Sequence, residues 1–394
     1  MFKPISNAIS LLALLAVAPL IQAADYTLEL GMEATHYPTQ GSPLSENNGM
    51  SFSLTPSITH TFEDQNIYFT FTPFARWDQR DDMRTHADIR ELKAIKVLDQ
   101  WELEAGISKV FWGVAEANHL VDIINQTDYL EGLDGEDKLG QPMLRISRIF
   151  EQSTLSAFIL PGFREREFLG LTSRFALPFP VEKATRFESD DEEKHLDYAL
   201  RFSGYAGQMD YGLSWFIGTA REVSLRPSSP ASNVFFPYYA QIEQVGLDVQ
   251  YTQDAWLWKL EAVHQDSQES NHSAFVAGLE YSFYGLNDGA YDLGLIAEYN
   301  QDSRDNARAA LLQNDVFVGA RFGFNDAESS AVLAGMILDL DDDSRSFRVE
   351  GSRRVLGDAK LSIEAQAFSH VDPNNLTYGF RDNDFMQIEL TWYF

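Results

Sequence analysis

Residues 385–394, Phe-Met-Gln-Ile-Glu-Leu-Thr-Trp-Tyr-Phe, alternate without a break. Met386, Ile388, Leu390, Trp392 and Phe394 fall on one side of a period-two strand, and Gln387, Glu389, Thr391 and Tyr393 fall on the other. One face wants an apolar surrounding and the other wants water. A strand of this kind needs partners along both edges and different media on its two sides. The pattern recurs near the start of the chain. In 25–36, Tyr26, Leu28, Leu30, Met32 and Ala34 alternate with Asp25, Thr27, Glu29, Gly31 and Glu33. In 50–62, Met50, Phe52, Leu54, Ile58 and Phe62 alternate with Ser and Thr residues.

Further alternating runs lie at 66–77, 85–98, 101–111, 142–150, 154–160, 196–205, 210–218, 241–251 and 255–264. Others follow at 273–283, 291–300, 316–324, 331–340, 346–355 and 360–368. With the closing run this makes about 18 strands, or 16 if 85–98 and 142–150, where alternation breaks, are discounted. The connections alternate in length. Those at 63–65, 99–100, 151–153, 253–254, 285–289 and 356–359 are short. Those at 37–49, 113–141, 161–195, 221–240, 301–315 and 371–384 are mostly long. Short turns at one end and long loops at the other are the expected asymmetry of a membrane-spanning antiparallel barrel, and an even strand number puts both termini at the short-turn end.

Alternation alone does not say which face meets lipid. The polar faces carry Asp197, Arg201, Asp248, Lys259, Glu261, Glu298, Arg321, Arg348, Glu350, Arg354, Glu364 and Glu389. A sheet of this width encloses more space than side chains can fill, so these charges belong in a wet lumen and the apolar faces belong in hydrocarbon. Trp77, Trp101, Trp215, Trp256, Trp258, Tyr281, Tyr299 and Trp392 sit on the apolar faces, several near strand ends, as interfacial girdles require. The fold class is therefore all-β, a transmembrane antiparallel β-barrel. Residues 1–23, with Lys3, an apolar run and Ala23, read as a cleaved signal peptide, leaving 24–394 as a single barrel domain. The chain has no Cys and a formal charge of −29. That acidity speaks against nucleic-acid binding, and 28 Phe, 16 Tyr and 7 Trp speak against disorder.

The connection 113–141, with its flank from Val110, is too apolar for a floppy surface loop and lacks strand alternation. Its residues Leu120, Val121, Ile123 and Ile124 are expected to form a short helix face. It is expected to fold into the lumen as a constriction, with Glu116, Asp122, Asp128, Glu131, Asp134, Glu136 and Asp137 facing the basic wall residues Arg145, Arg148, Arg201, Arg321, Arg348 and Arg354. An alternative uses Phe111, Trp112, Val114, Leu120, Val121, Ile123 and Ile124 as an apolar path, with Pro56 and Pro73 marking weak places in the wall. A loop that merely packs over the mouth is the plainer reading. The acidic runs 188–193 and 341–343 match no ordered calcium motif and read as solvated loops. No Gly-x-Ser-x-Gly and no His-Glu-x-x-His pattern occurs, so no catalytic residue, metal or cofactor is expected.

The whole of 24–394 resembles a Gram-negative outer-membrane porin-type β-barrel. More narrowly, Lys109-Val-Phe-Trp-Gly-Val-Ala-Glu-Ala-Asn-His-Leu-Val-Asp-Ile-Ile-Asn-Gln-Thr-Asp128 with Asp134-Gly-Glu-Asp-Lys-Leu-Gly-Gln-Pro-Met143 resembles a group of poorly characterised barrels from marine proteobacteria, some of them tied to alkane uptake. The resemblance implies export to the cell outer membrane and contact with its lipid and lipopolysaccharide. The expected function is passive uptake of small solutes. Uptake of hydrophobic compounds such as alkanes, or a plugged barrel docking an inner-membrane or periplasmic partner, stand as alternatives.

Overall fold

The computed structural model describes residues 24–41, 45–132, 134–230, 232–268, 270–304 and 310–394. The signal-peptide stretch 1–23 lies outside them. The first half of the chain forms β1 (Asp25–His36), β2 (Asn48–Phe62), β3 (Ile67–Asp78), β4 (His86–Leu98), β5 (Trp101–Ser108), β6 (Gln141–Ile149) and β7 (Ser153–Pro161). Next come β8 (Arg186–Phe187), β9 (Leu196–Ala206), β10 (Met209–Thr219), β11 (Ser224–Pro227), β12 (Phe235–Tyr239), β13 (Gln241–Gln253) and β14 (Trp256–Ser267). The rest is β15 (Asn271–Gly285), β16 (Tyr291–Asp302), β17 (Asn314–Phe324), β18 (Ala331–Asp339), β19 (Arg345–Val355), β20 (Ala359–Ser369) and β21 (Phe385–Tyr393).

Eighteen of these strands pair antiparallel with their neighbours in chain order. The sheet closes because β21 also pairs with β1, from Glu29 opposite Tyr393 to His36 opposite Met386. Leu28 and Phe394 seal the seam by exchanging backbone hydrogen bonds of 3.1 and 3.0 Å. Closure leaves no free edge, the condition for a sheet to cross hydrocarbon. The three remaining strands, β11, β12 and β8, form a small separate sheet in the outer loops. Alternation does not reveal them, because they are too short to carry a period.

The molecule is apolar outside and charged inside. Outward residues such as Met50, Phe52, Leu144, Leu213, Met386 and Ile388 are exposed. Inward residues such as Glu33, Glu104, Asp197, Asp248, Glu261 and Glu298 are buried. A water-soluble fold has the reverse order, so the exterior belt belongs in lipid. Aromatic side chains gather at its margins. Trp256 stacks with Trp258 and meets Tyr281 at the short-turn end, and Phe52 stacks on Trp77 toward the long-loop end. Arg148 faces outward, opposite Trp101, and lays its guanidinium 4.9 Å from that ring. It is an interfacial anchor and not the lumen residue expected from the sequence.

The break of alternation in 85–98 has a physical cause. The β3–β4 register shifts at Thr72 and Pro73, and Arg90 is the extra residue of the bulge. The shift turns Arg90 into the interior, where it is buried. Above Leu92, β4 has no ladder partner on its β5 side, since that pairing spans only Leu92 to Leu98. The gap is covered by Gly140, whose added Cβ would stand 2.4 Å from the Arg90 carbonyl oxygen, and by Arg164, which donates to Asp88 at 2.8 Å.

The two faces of β21 give a direct test. Ile388→Lys, near mid-strand on the outer face, is expected to destabilise the barrel in lipid by about 2–4 kcal/mol. Gln387→Lys, on the inner face, should cost far less. Urea unfolding in lipid vesicles reads both, and equal costs would contradict the assignment of faces.

Candidate pore constriction

After Ser108 the chain leaves the wall and turns into the barrel, returning at Gln141. Two inward carboxylates clamp the first part of this loop. Glu261 on β14 accepts from the backbone N–H groups of Val114 at 2.6 Å, Ala115 at 2.9 Å and Val121 at 3.2 Å. Glu298 on β16 accepts from those of Glu116 at 2.8 Å and Ala117 at 2.9 Å. Both carboxylates are almost fully buried, and the converging donors offset the desolvation. The close approach requires Gly113, which has φ +127° and would set an added Cβ 2.6 Å from the Glu261 carboxylate.

The apolar residues of the loop are consumed in packing. Trp112, Val121, Ile123 and Ile124 form one buried cluster with Met143, Phe158, Leu160, Phe216, Ile242 and Val263 of the wall, and Leu120 packs at its margin. Among the described residues between 109 and 140 no helix forms. The expected helix face is instead a set of irregular turns, closed by a bridge between Thr127 and Lys138. Only Phe111, 53% exposed, stays open, edge-on to His119. Trp112, Leu120, Val121, Ile123 and Ile124 of the expected apolar path are therefore part of a packed core against β6–β14, and Phe111 and Val114 lie outside it.

Beyond this cluster the loop crosses toward the other wall. Glu131 accepts from Arg76 on β3 at 2.8 Å, and Asp128 pairs with the bulge residue Arg90. Arg76 also donates to Glu33 at 3.0 Å, and Arg84 donates to Glu33 and to Asp78. On the opposite side Glu116 accepts from Arg321 at 2.7 Å and Asp134 accepts from Arg348 at 2.6 Å. Each of these pairs joins a loop acid to a wall arginine named from the sequence.

Other expected pairs do not form. Arg145 donates to Glu102 of the neighbouring strand at 2.7 Å. Arg201 grips Asp248 with two bonds of 2.8 and 2.9 Å and lies 4.9 Å from the Trp112 ring. Arg354 stands opposite Lys360 near the short-turn end, away from the loop. Asp122 is held by Lys138 at 3.1 Å and accepts from the Trp112 backbone, within the loop. In each case a ladder neighbour or loop neighbour is nearer than the far wall.

The loop's own titrations follow from enclosure. Burial pushes Asp122 up, against the pull of Lys138. Enclosure inside the barrel, then the charges of Glu131 and Asp134, push Asp137 up to about 6. Burial works to lower His119, but its 2.6 Å hydrogen bond to Glu136 and the charges of Glu136, Glu261 and Asp122 together raise it. The outer mouth is also crossed. Arg174, in the 162–195 connection, donates to Asp382, Asn383 and Thr39, and Arg166 donates to Gln126 of the inner loop.

No protein-family model matches the chain, and no curated protein sequence matches it. Solved structures do. Wzi of Escherichia coli, described as an outer-membrane protein involved in group 1 capsule assembly and a carbohydrate-binding β-barrel, is similar at 10% identity and a TM-score of 0.57, covering 99% of this chain and 89% of that one. OpdO of Pseudomonas aeruginosa is similar at 9% identity and a TM-score of 0.55, covering 95% and 97%. OpdR of the same organism gives 9% identity and a TM-score of 0.55, covering 94% and 95%. At these identities the likeness is one of fold, that of the outer-membrane porin-type barrel.

The clamp is testable by amide exchange. Glu261→Ala orphans three backbone donors and should speed exchange at Val114, Ala115 and Val121 by about 100-fold, equivalent to roughly 3 kcal/mol of lost local protection. Glu298→Ala should do the same at Glu116 and Ala117 alone. Unchanged rates would contradict the clamp.

Proposed function

We propose that this barrel is an outer-membrane channel for passive uptake of small water-soluble solutes, narrowed by residues 113–141. Outer-membrane lipid and lipopolysaccharide surround it, and the solute passes between the inner loop and the wall. What carries this reading is the uneven filling of the lumen. On the side from β6 to β16 the loop packs on the apolar cluster of Met143, Phe158, Leu160, Phe216, Ile242 and Val263 and is held by Glu261 and Glu298. From β19 round to β2 the mid-strand inward residues are polar or glycine, with Ser352 opposite Ser362, Glu364 opposite Gln387, and Gly31 opposite both Ser53 and Thr391.

The carboxylates of Glu350 and Glu364 on this wall stay partly exposed, so space beside them is not filled by the loop. The loop spans from Arg76 to Arg348 and borders that volume with Glu131, Asp134 and Glu136. A path lined by hydroxyls and ionised groups suits hydrated solutes. Apolar compounds find no comparable lining, because the residues that could serve them are packed together.

In planar bilayers the protein is expected to give small, regular conductance steps. The double variant Glu261→Ala, Glu298→Ala releases the loop and should raise the unitary conductance by about twofold or more. Absence of steps from both proteins, in preparations that retain barrel circular dichroism, would overturn the channel reading.

A further inference from the structure

We propose that the open side of the constriction favours cationic solutes over anionic ones, and that Glu350, Glu364 and Glu389 set this preference. The inference rests on the channel reading above and names the class of solute it serves. It begins from the strand register. Glu350 on β19 lies directly opposite Glu364 on β20. Glu389 on β21 lies directly opposite Glu33 on β1. Glu364 pairs with Gln387 and Ser362 pairs with Glu389, so Glu364 and Glu389 are diagonal neighbours. Four adjacent strands therefore present one continuous row of inward carboxylates.

Such a row is unfavourable for folding, because like charges directly across a ladder repel. A barrel could place Ser or Thr at these positions, as β2 does with Ser53, Thr55 and Ser57. The loop adds more of the same sign. Asp134, Glu116 and Glu136 lie close enough to act on Glu350 electrostatically, and Glu131 acts on Glu389.

Two inward bases, Lys360 (diagonal to Glu389) and Arg354 opposite it, lie toward the short-turn end, and the bases at the level of the loop are engaged. Arg76 and Arg84 are bound to Glu33, Glu131 and Asp78, which removes Glu33 from the excess. Arg321 is bound to Glu116. Arg348 is the base set within the row, and it is shared among Asp134, Glu350 and Glu364. Glu350 remains 43% exposed and Glu364 27% exposed, so both carboxylates reach lumen water.

At about 8 Å through water and with physiological screening, each net negative charge biases the local cation-to-anion ratio roughly twofold. At the level of the loop the four carboxylates of Asp134, Glu350, Glu364 and Glu389, set against the one guanidinium of Arg348, leave three net charges and a bias of about fivefold to tenfold. The path should therefore admit small cations and basic solutes and retard anions.

The test is the reversal potential across a potassium chloride gradient in planar bilayers, with wild type and two variants. Wild type should show a potassium-to-chloride permeability ratio of about 5 or more. The variant Glu350→Gln, Glu364→Gln, Glu389→Gln should bring it to about 1, whereas Arg348→Gln should raise it above wild type. Regular steps from wild type with a ratio at or below about 1 would overturn the cation preference while leaving the channel reading intact. A wild-type ratio unchanged in both variants would overturn the assignment to this row. Absence of steps from wild type and from the loop-released variant would overturn the channel reading and this inference with it.

Discussion

The structure depends on the pairing of its last strand with its first. In hydrocarbon each unpaired backbone N–H or C=O costs several kcal/mol, so an open eighteen-stranded sheet would carry two intolerable edges. The β21–β1 ladder and the reciprocal bonds between Leu28 and Phe394 remove them. Once the cylinder is closed, side-chain alternation has only two destinations. Apolar residues meet lipid and charged residues meet the lumen, along every strand. The exposed Leu, Ile and Phe residues of the exterior, which would be a liability in water, follow from the same closure. A stretch where the wall lacks ladder bonds, β4 above Leu92, lies next to the point where the chain leaves the wall to enter the lumen.

Entry into the lumen creates a second backbone problem. An irregular loop carries many donors that a sheet would have paired. The barrel meets it with buried carboxylates instead of strands. Glu261 and Glu298 accept five backbone N–H bonds between them, and the apolar cluster around Trp112 and Ile124 excludes water from one side. The ion pairs to Arg76, Arg90, Arg321 and Arg348 then fix how far the loop reaches across. Clamp, cluster and ion pairs together hold the loop inside the barrel.

Much of this was legible in the sequence, for reasons that show where legibility stops. Strand positions and the direction of each face follow from period-two alternation, a local property, and β21 and β1 read correctly residue by residue. The unusual character of the loop was also local, since Leu120, Val121, Ile123 and Ile124 cannot remain in water. Pairings between strands distant in sequence were not legible. Glu261 and Glu298 look like any inward acid, and only the fold brings them under the loop's amide groups. Arg145 and Arg201 were expected to face the loop, yet Glu102 and Asp248 sit nearer by ladder register. Arg148 was misplaced because an outward arginine near a strand end breaks alternation in the same way as a shift of face. Arg90 did leave a signal, the disturbed pattern beside Pro73, which marked a bulge and not a weak strand.

The central claim is that inside and outside are chemically reversed relative to a soluble protein, with the polar row of each strand bathed in lumen water. The chain contains no cysteine, so single cysteines can be introduced along β21 without background. Labelling in lipid vesicles with a membrane-impermeant, water-soluble maleimide and with a lipid-partitioning one measures the claim directly. Cysteines at positions 386, 388 and 390 should react with the lipid-partitioning reagent, and cysteines at 387, 389 and 391 with the water-soluble one. Reaction of both sets with the same reagent, or the reverse order, would contradict the account.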